Sequence, residues 1–166
     1  MDVAVIGVAM SSFEPRPELP PSEIVYPVVK AALTDAGISM DDLESIVSCS
    51  QDIYDGRTIS SMGVNEVIGG YLRSESKVAG DGLLALMYGA ARVASGEYDL
   101  TLVVAHCLES IGDQHAIENG AFDPYIQRPL GIDGTIAAAL QASAFYAGSG
   151  LGPDDAAAVS ARSSVR

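Results

Sequence analysis

The residues with the clearest chemical potential surround a Gly-Asp-Gly turn at residues 80–82, within "KVAGDGLLALMYGAARV". A short strand leads into the turn, and apolar residues follow it at helical spacing, which predicts a helix beginning near Gly82. A helix N-terminus stabilises an anion and lowers the pKa of a thiol nucleophile. Asp81 is able to act there as a nucleophile or base. The preferred interpretation is an N-cap that accepts hydrogen bonds from the first amides of the helix.

The two histidines and one tyrosine supply the other candidate acid–base groups. His106 adjoins Cys107 at the end of an apolar run, and adjacent strand side chains point to opposite faces, so these two do not pair with each other. We expect His106 or Cys107 to line a pocket. His115 and Tyr125 lie in a Gly- and Pro-punctuated segment from which a side chain can reach a ligand. The alternative for His115 is an ordinary surface position.

The elements that position these residues alternate between strands and helices. Apolar runs predict a strand at 2–13, central in its sheet, and buried strands at 45–50 and 98–107. Helices are predicted at 22–37, 83–93, 135–150 and from 152 onward, with a less regular helical pattern at 60–72. The helix at 83–93 is apolar around most of its surface, which predicts burial inside the domain. This order predicts an α/β fold with helices on both faces of the sheet.

The composition narrows the class of partner. The formal net charge is −13, and the 9 basic residues are scattered, which disfavours nucleic acid and anionic membranes as partners. Cys49 and Cys107 form no CxxC pair, so neither a zinc site nor a disulfide framework is predicted, and both are expected to be buried thiols. Without a signal peptide or an apolar run of the ~20 residues that span a bilayer, the expectation is a soluble cytoplasmic protein.

Several segments, taken in order, resemble the N-terminal half of the thiolase superfamily, closest to the sterol-carrier-protein type. They are "VAVIGVAMSSF", "ALTDAGI", "DLESIVSCS", "ASGEYDLTLVVAHCLES" and "GLGPDDAAAVSARSSVR". The resemblance covers essentially the whole chain, 1–166, as one thiolase-like domain. It implies a central mixed sheet with helices on both faces and a loop region at 111–135 beside an acyl-CoA pocket. It also implies that the C-terminal half, which carries the remaining catalytic residues of thiolases, is absent from these residues.

The resemblance identifies the Gly-Asp-Gly turn as the nucleophile turn. Thiolases carry their nucleophilic cysteine in a pattern like Cys-Ser-x-Gly-x-x-Ala-Leu, and alignment through Gly82 and Ala85 puts Ala79 at the cysteine position. An alanine methyl cannot attack a thioester, so the implied role is binding a coenzyme A thioester without a thiolate. The implied substrate-binding residues are Ala79, Gly80, Gly82 and His106. No metal and no other cofactor are expected.

Three functions follow as hypotheses. The first is a cysteine-independent acyl-CoA-binding subunit of a homo- or hetero-oligomer that metabolises lipid or sterol side chains. The second is a retro-aldol-type lyase that acts on a β-hydroxyacyl-CoA with an OB-fold partner, with Asp81, His115 and Tyr125 as low-ranked acid–base candidates. The third is a non-catalytic dimerisation scaffold for an active thiolase-like partner.

Overall fold

The computed structural model describes residues 2–13, 18–55 and 59–164. The chain divides into two compact units, Met1–Gln114 and His115–Arg166. The helices and strands, in chain order, are α1 (Pro21–Ala36), β1 (Ser45–Cys49), β2 (Ser74–Val78), α2 (Gly82–Ala94), β3 (Thr101–Ala105), α3 (Gln114–Gly120), α4 (Gly134–Ser149) and α5 (Pro153–Ser164). The described part of the chain contains no helix long and apolar enough to cross a membrane.

Helix α1 follows directly from its sequence pattern. Val25, Val29 and Leu33 recur at helical spacing and are buried. Gly37 ends the helix at φ 71°, a left-handed conformation that glycine adopts without steric cost, and its amide bonds back to the last turn. The predicted helix at 22–37 is therefore confirmed.

The sheet has three parallel strands in the order β2–β1–β3. Ser45 at the start of β1 is in register with Ser74 of β2 and with Thr101 of β3. The prediction of a mixed sheet is wrong for the described strands, because all three run in the same direction. Parallel neighbours need crossover connections, and the chain makes one between successive strands. The prediction that 98–107 is fully buried is also wrong: β3 is only partly covered, since it has one paired edge among the described strands.

The predicted central strand at 2–13 is wrong. Among the described residues this segment is extended but pairs with no strand, and Val5 and Val8 are exposed. It lies along α1, where the Val8 amide donates a 2.9 Å hydrogen bond to Asp35 Oδ2. The central place belongs to β1, whose five residues are all buried and whose two edges are taken by β2 and β3.

Helices cover both faces of the sheet, as predicted. Neighbouring side chains of β1 point to opposite faces, so Ile46 packs with the buried residues of α1 and Val47 packs with Ala85 of α2. Gly89 allows α2 to approach closely, because a Cβ there would lie 2.6 Å from Val103 Cγ2. Helix α2 is therefore fixed against β1 and β3 along a narrow stripe of small residues.

Two predictions about helices are corrected. Helix α2 is buried only at Ala85 and Gly89, and its outer side chains Leu83 and Met87 are 67% and 65% exposed. The segment 60–72 forms only a 3-10 turn at Ser60–Gly63 followed by further turns, and its glycines account for the loss of regular helix.

The region at 111–135 is more regular than a loop. It contains the short helix α3 and a 3-10 turn at Arg128–Leu130, which ends at Gly131 with φ 70°. Helix α4 then begins beyond Asp133 and ends at Gly150, close to the predicted bounds of 135–150. The predicted loop is thus a helical connection within the described residues.

Candidate functional site

A cleft of about 1030 Å³ opens within the Met1–Gln114 unit at the carboxyl ends of the strands. The strand order places a topological switch point here. From β1 the chain crosses to β2 on one side of the sheet and later to β3 on the other side. Ligands of parallel α/β sheets bind beyond the carboxyl ends of strands at such a switch point. The walls of the cleft are formed by residues 9–13, the first three turns of α1, Cys49, the turn at 80–82 and residues 104–110.

The Gly-Asp-Gly turn forms one wall of this cleft. Asp81 caps α2, because its Oδ1 accepts a 2.8 Å hydrogen bond from the Leu84 amide, so the predicted N-cap is confirmed. Gly80 and Gly82 line the cleft, whereas Ala79 is exposed and lies outside its lining. The turn is tight, since a Cβ on Gly82 would lie 3.3 Å from the Ala105 Cβ.

A sulfur atom does lie beside the turn, but it comes from another strand. Cys49 ends β1, lines the cleft, and donates a 3.3 Å hydrogen bond from its thiol to the carbonyl oxygen of Gly80. Burial raises the pKa of the Cys49 thiol above its ordinary value, so it is protonated at neutral pH. Cys49 is buried as predicted, whereas Cys107 is exposed, which corrects the expectation of two buried cysteines.

His106 stands in the cleft wall, with Asp55 behind it. Their side chains are 8% and 4% exposed, and His106 Nδ1 lies 3.9 Å from Asp55 Oδ2. Burial lowers the pKa of His106, an effect that the Asp55 carboxylate opposes and the Lys77 ammonium reinforces. The imidazole is therefore neutral at neutral pH.

The Asp55–His106 pair has unused hydrogen-bonding capacity. Asp55 Oδ1 accepts a 2.7 Å hydrogen bond from the Leu108 amide. Asp55 Oδ2 and His106 Nε2 are both buried and meet no hydrogen-bond partner among the described residues. Most buried polar atoms are paired, so two unpaired atoms on neighbouring side chains mark this place as unusual. Sequence patterns missed Asp55, because it follows β1 in an irregular segment that carries no periodic signal.

A second polar cluster fixes the turn that carries Asp55. Lys77 of β2 forms an ion pair with Asp52, and the amide and hydroxyl of Ser60 each donate a 2.7 Å hydrogen bond to Asp52 Oδ1. The hydrogen bond from Lys77, with those from Ser60, holds the pKa of Asp52 well below its usual range. This cluster attaches the residues after β1 to the neighbouring strand.

His115 and Tyr125 belong to the His115–Arg166 unit, apart in sequence from the Asp81 turn. His115 Nδ1 lies 2.6 Å from Asp133 Oδ2, and Asp133 also caps α4 through the Ile136 amide. That amide, and then His115, lower the pKa of Asp133. Tyr125 is 88% exposed. His115 therefore contacts the residue that caps α4, and its recorded side-chain contact is with Asp133 and not with Tyr125.

Within the ranges that the structure describes, no group of three or more His, Cys, Asp or Glu side chains is placed to hold a metal ion. Asp55 lies outside the lining of the cleft, and the polar side chains in that lining are Ser11, Ser12, Cys49, Asp81, His106, Cys107, Glu109 and Ser110. In comparisons with known proteins, the chain matches no protein-family model and no curated protein sequence.

Proposed function

We propose that this chain is a thiolase-like acyl-CoA-binding subunit that works without a cysteine nucleophile. The observation that carries the proposal is the cleft at the switch point between β1 and β3, beside the N-terminus of α2. A coenzyme A thioester is the ligand that the thiolase resemblance implies for this turn. Support for this ligand comes from the geometry of the cleft and from the sequence segments that resemble thiolases.

The cleft suits an acyl chain in size and in chemistry. Pockets for small ligands measure roughly 300–1,000 Å³ and are mostly apolar, with a few polar groups that fix orientation. Ile24, Val25 and Val28 of α1 contribute an apolar wall about one helical turn long, roughly 6 Å. Gly80 and Gly82 contribute backbone to the lining of the cleft.

The Cys49 thiol is poorly suited to acyl transfer. The thiolate is the nucleophilic form of cysteine, and a helix N-terminus favours it only when the sulfur is placed there. Ala79 has no sulfur, and Cys49 is a hydrogen-bond donor with a raised pKa. These residues therefore fit binding of a coenzyme A thioester without a covalent acyl-enzyme intermediate better than they fit Claisen condensation.

The exposed apolar surface supports the assembly part of the proposal. Leu83 and Met87 lie one turn apart on the outer face of α2, and each is more than 60% exposed. Large contiguous apolar surfaces on a protein mark interfaces. We propose that a second thiolase-like unit, from the same or another chain, covers this surface in a homo- or hetero-oligomer.

The test of the binding proposal is calorimetric titration with butyryl-CoA. Ala31 lies on α1 in the cleft wall, and Ala31→Trp would fill part of the acyl path. We expect the variant to raise the dissociation constant at least about tenfold, corresponding to the loss of about 1.4 kcal/mol of binding free energy. Ala94→Trp, an equal change at the exposed end of α2, is the control. Equal affinities for both variants would refute binding in this cleft.

A further inference from the structure

We propose that the cleft wall at residues 106–110 is released in acid, and that protonation of His106 is the event that releases it. The neutral imidazole keeps its buried place beside Asp55, and the imidazolium leaves that place for water. Release depends on this chain's own residues and not on which ligand the cleft binds, so it is tested separately from the proposed function.

The buried surroundings of His106 suit a neutral ring. The side chains of His106 and Asp55 are 8% and 4% exposed, and His106 Nδ1 lies 3.9 Å from Asp55 Oδ2. His106 Nε2 is buried without a hydrogen-bond partner among the described residues. A neutral imidazole carries hydrogen on one nitrogen only, so hydrogen on Nδ1, directed toward Asp55, leaves no unpaired donor at Nε2.

Protonation adds a donor where the protein offers no acceptor. An imidazolium carries hydrogen on both nitrogens, and the described structure provides nothing to accept from Nε2. A buried ion pair offsets its desolvation only when the remaining donors are also hydrogen-bonded. The contact with Asp55 is itself longer than a hydrogen bond. The protonated ring therefore lowers its free energy by moving into water.

The electrostatics of the ring give the direction of the pH dependence. Burial lowers the pKa of His106 below its ordinary value of about 6.5, while the Asp55 carboxylate opposes this effect and the Lys77 ammonium reinforces it. The titratable neighbours on the ring's own segment are Cys107 and Glu109. The stabilising contribution of the neutral ring is full above that ordinary value and is lost as pH falls below it.

Two hydrogen bonds attach the backbone beside the ring to the rest of the unit. The His106 amide donates a 3.0 Å hydrogen bond to the carbonyl oxygen of Cys49, and the Leu108 amide donates a 2.7 Å hydrogen bond to Asp55 Oδ1. Movement of the imidazole into water requires the backbone that carries these amides to shift. Because residues 106–110 line the cleft, their release changes the wall that a ligand meets.

The experiment is amide hydrogen exchange of the unmodified chain, followed by NMR at about pH 7 and about pH 5. Protection factors remove the intrinsic pH dependence of exchange. We expect those of the His106 and Leu108 amides to fall at least about tenfold at the lower pH, within the roughly thirtyfold that a released histidine of ordinary pKa allows. The Val47 amide, in the buried strand β1, should change less than about twofold.

Three variants assign the response to its group. His106→Phe keeps an uncharged ring of similar shape and should abolish the fall in protection. His115→Asn removes the other histidine of the chain and should leave the fall unchanged. Asp55→Asn removes the carboxylate that favours the imidazolium, so the fall should become larger.

Equal protection factors at the two pH values in the unmodified chain would overturn acid release, and this result requires no variant to fold. An equal fall at Val47 would show general unfolding in place of local release and would also overturn it. A fall that persists in His106→Phe, or that disappears in Asp55→Asn, would assign the response to another group and would contradict the role given to His106.

Discussion

Asp81 is the residue whose role the sequence predicts best, because a helix cap is a local contact. Its Oδ1 accepts from the amide of Leu84, three residues along the chain. We expect Asp81→Ala to lower the free energy of unfolding by about 1 kcal/mol, measured by urea denaturation, because an alanine cannot accept that bond. Asp81→Asn retains a good cap and is the matched control. A similar loss in both variants would contradict a simple capping role.

Cys49 and Asp55 show where residue-scale prediction ends. Cys49 reaches the carbonyl of Gly80, and Asp55 reaches the amide of Leu108, more than thirty residues away in each case. Neither contact can be predicted from periodicity in the sequence. Each depends on the tertiary arrangement of the carboxyl ends of β1, β2 and β3. His106 is predictable as a pocket residue from its place after an apolar run, but its partner is not.

At the scale of elements, the Lys77–Asp52 ion pair attaches the turn after β1 to β2. Because the folded-state pKa of Asp52 lies below its ordinary value, its stabilising contribution is present above that ordinary value and is lost as pH falls through the acid range. We expect Asp52→Asn to reduce stability at about pH 7 and to have a smaller effect at about pH 3, measured by urea denaturation. The effect is moderated by solvent, since the Asp52 side chain is 39% exposed.

Asp41→Asn is the control for that prediction, because the Asp41 carboxylate is exposed and lies 3.9 Å from Arg73. It should change stability little at either pH. An Asp52→Asn effect that is constant between the two pH values would contradict the assigned charge state of Asp52.

The elements themselves were predictable where a local signal in the sequence marks them. Helix α1 follows from the periodicity of its apolar residues, β1 from its apolar run, and α4 from its run of small residues, although no residue of α4 is buried. Gly37 and Gly150 mark helix ends through their left-handed backbone. The segment at 2–13 has the same apolar pattern as β1, yet only β1 has partners on both edges. Pairing is a tertiary property, so an apolar run alone does not distinguish a central strand from an unpaired one.

At the scale of the whole molecule, the apolar surface predicts self-association or association with a similar unit. We expect the purified chain to sediment above its monomer mass of 17.2 kDa in analytical ultracentrifugation. The double variant Leu83→Lys and Met87→Lys places charges on the exposed face of α2 and should shift the protein toward monomer. Val159→Lys on α5 is the control for added charge. A monomer in the unmodified protein at all concentrations would contradict self-association.

The central claim is that the chain binds an acyl-CoA thioester without accepting its acyl group. The most direct measurement is a calorimetric titration with butyryl-CoA, followed by intact-mass spectrometry of the same sample. We predict saturable binding and an unchanged protein mass, because Ala79 has no sulfur and the Cys49 thiol stays protonated. Absence of binding, or a butyryl adduct on Cys49, would contradict the account.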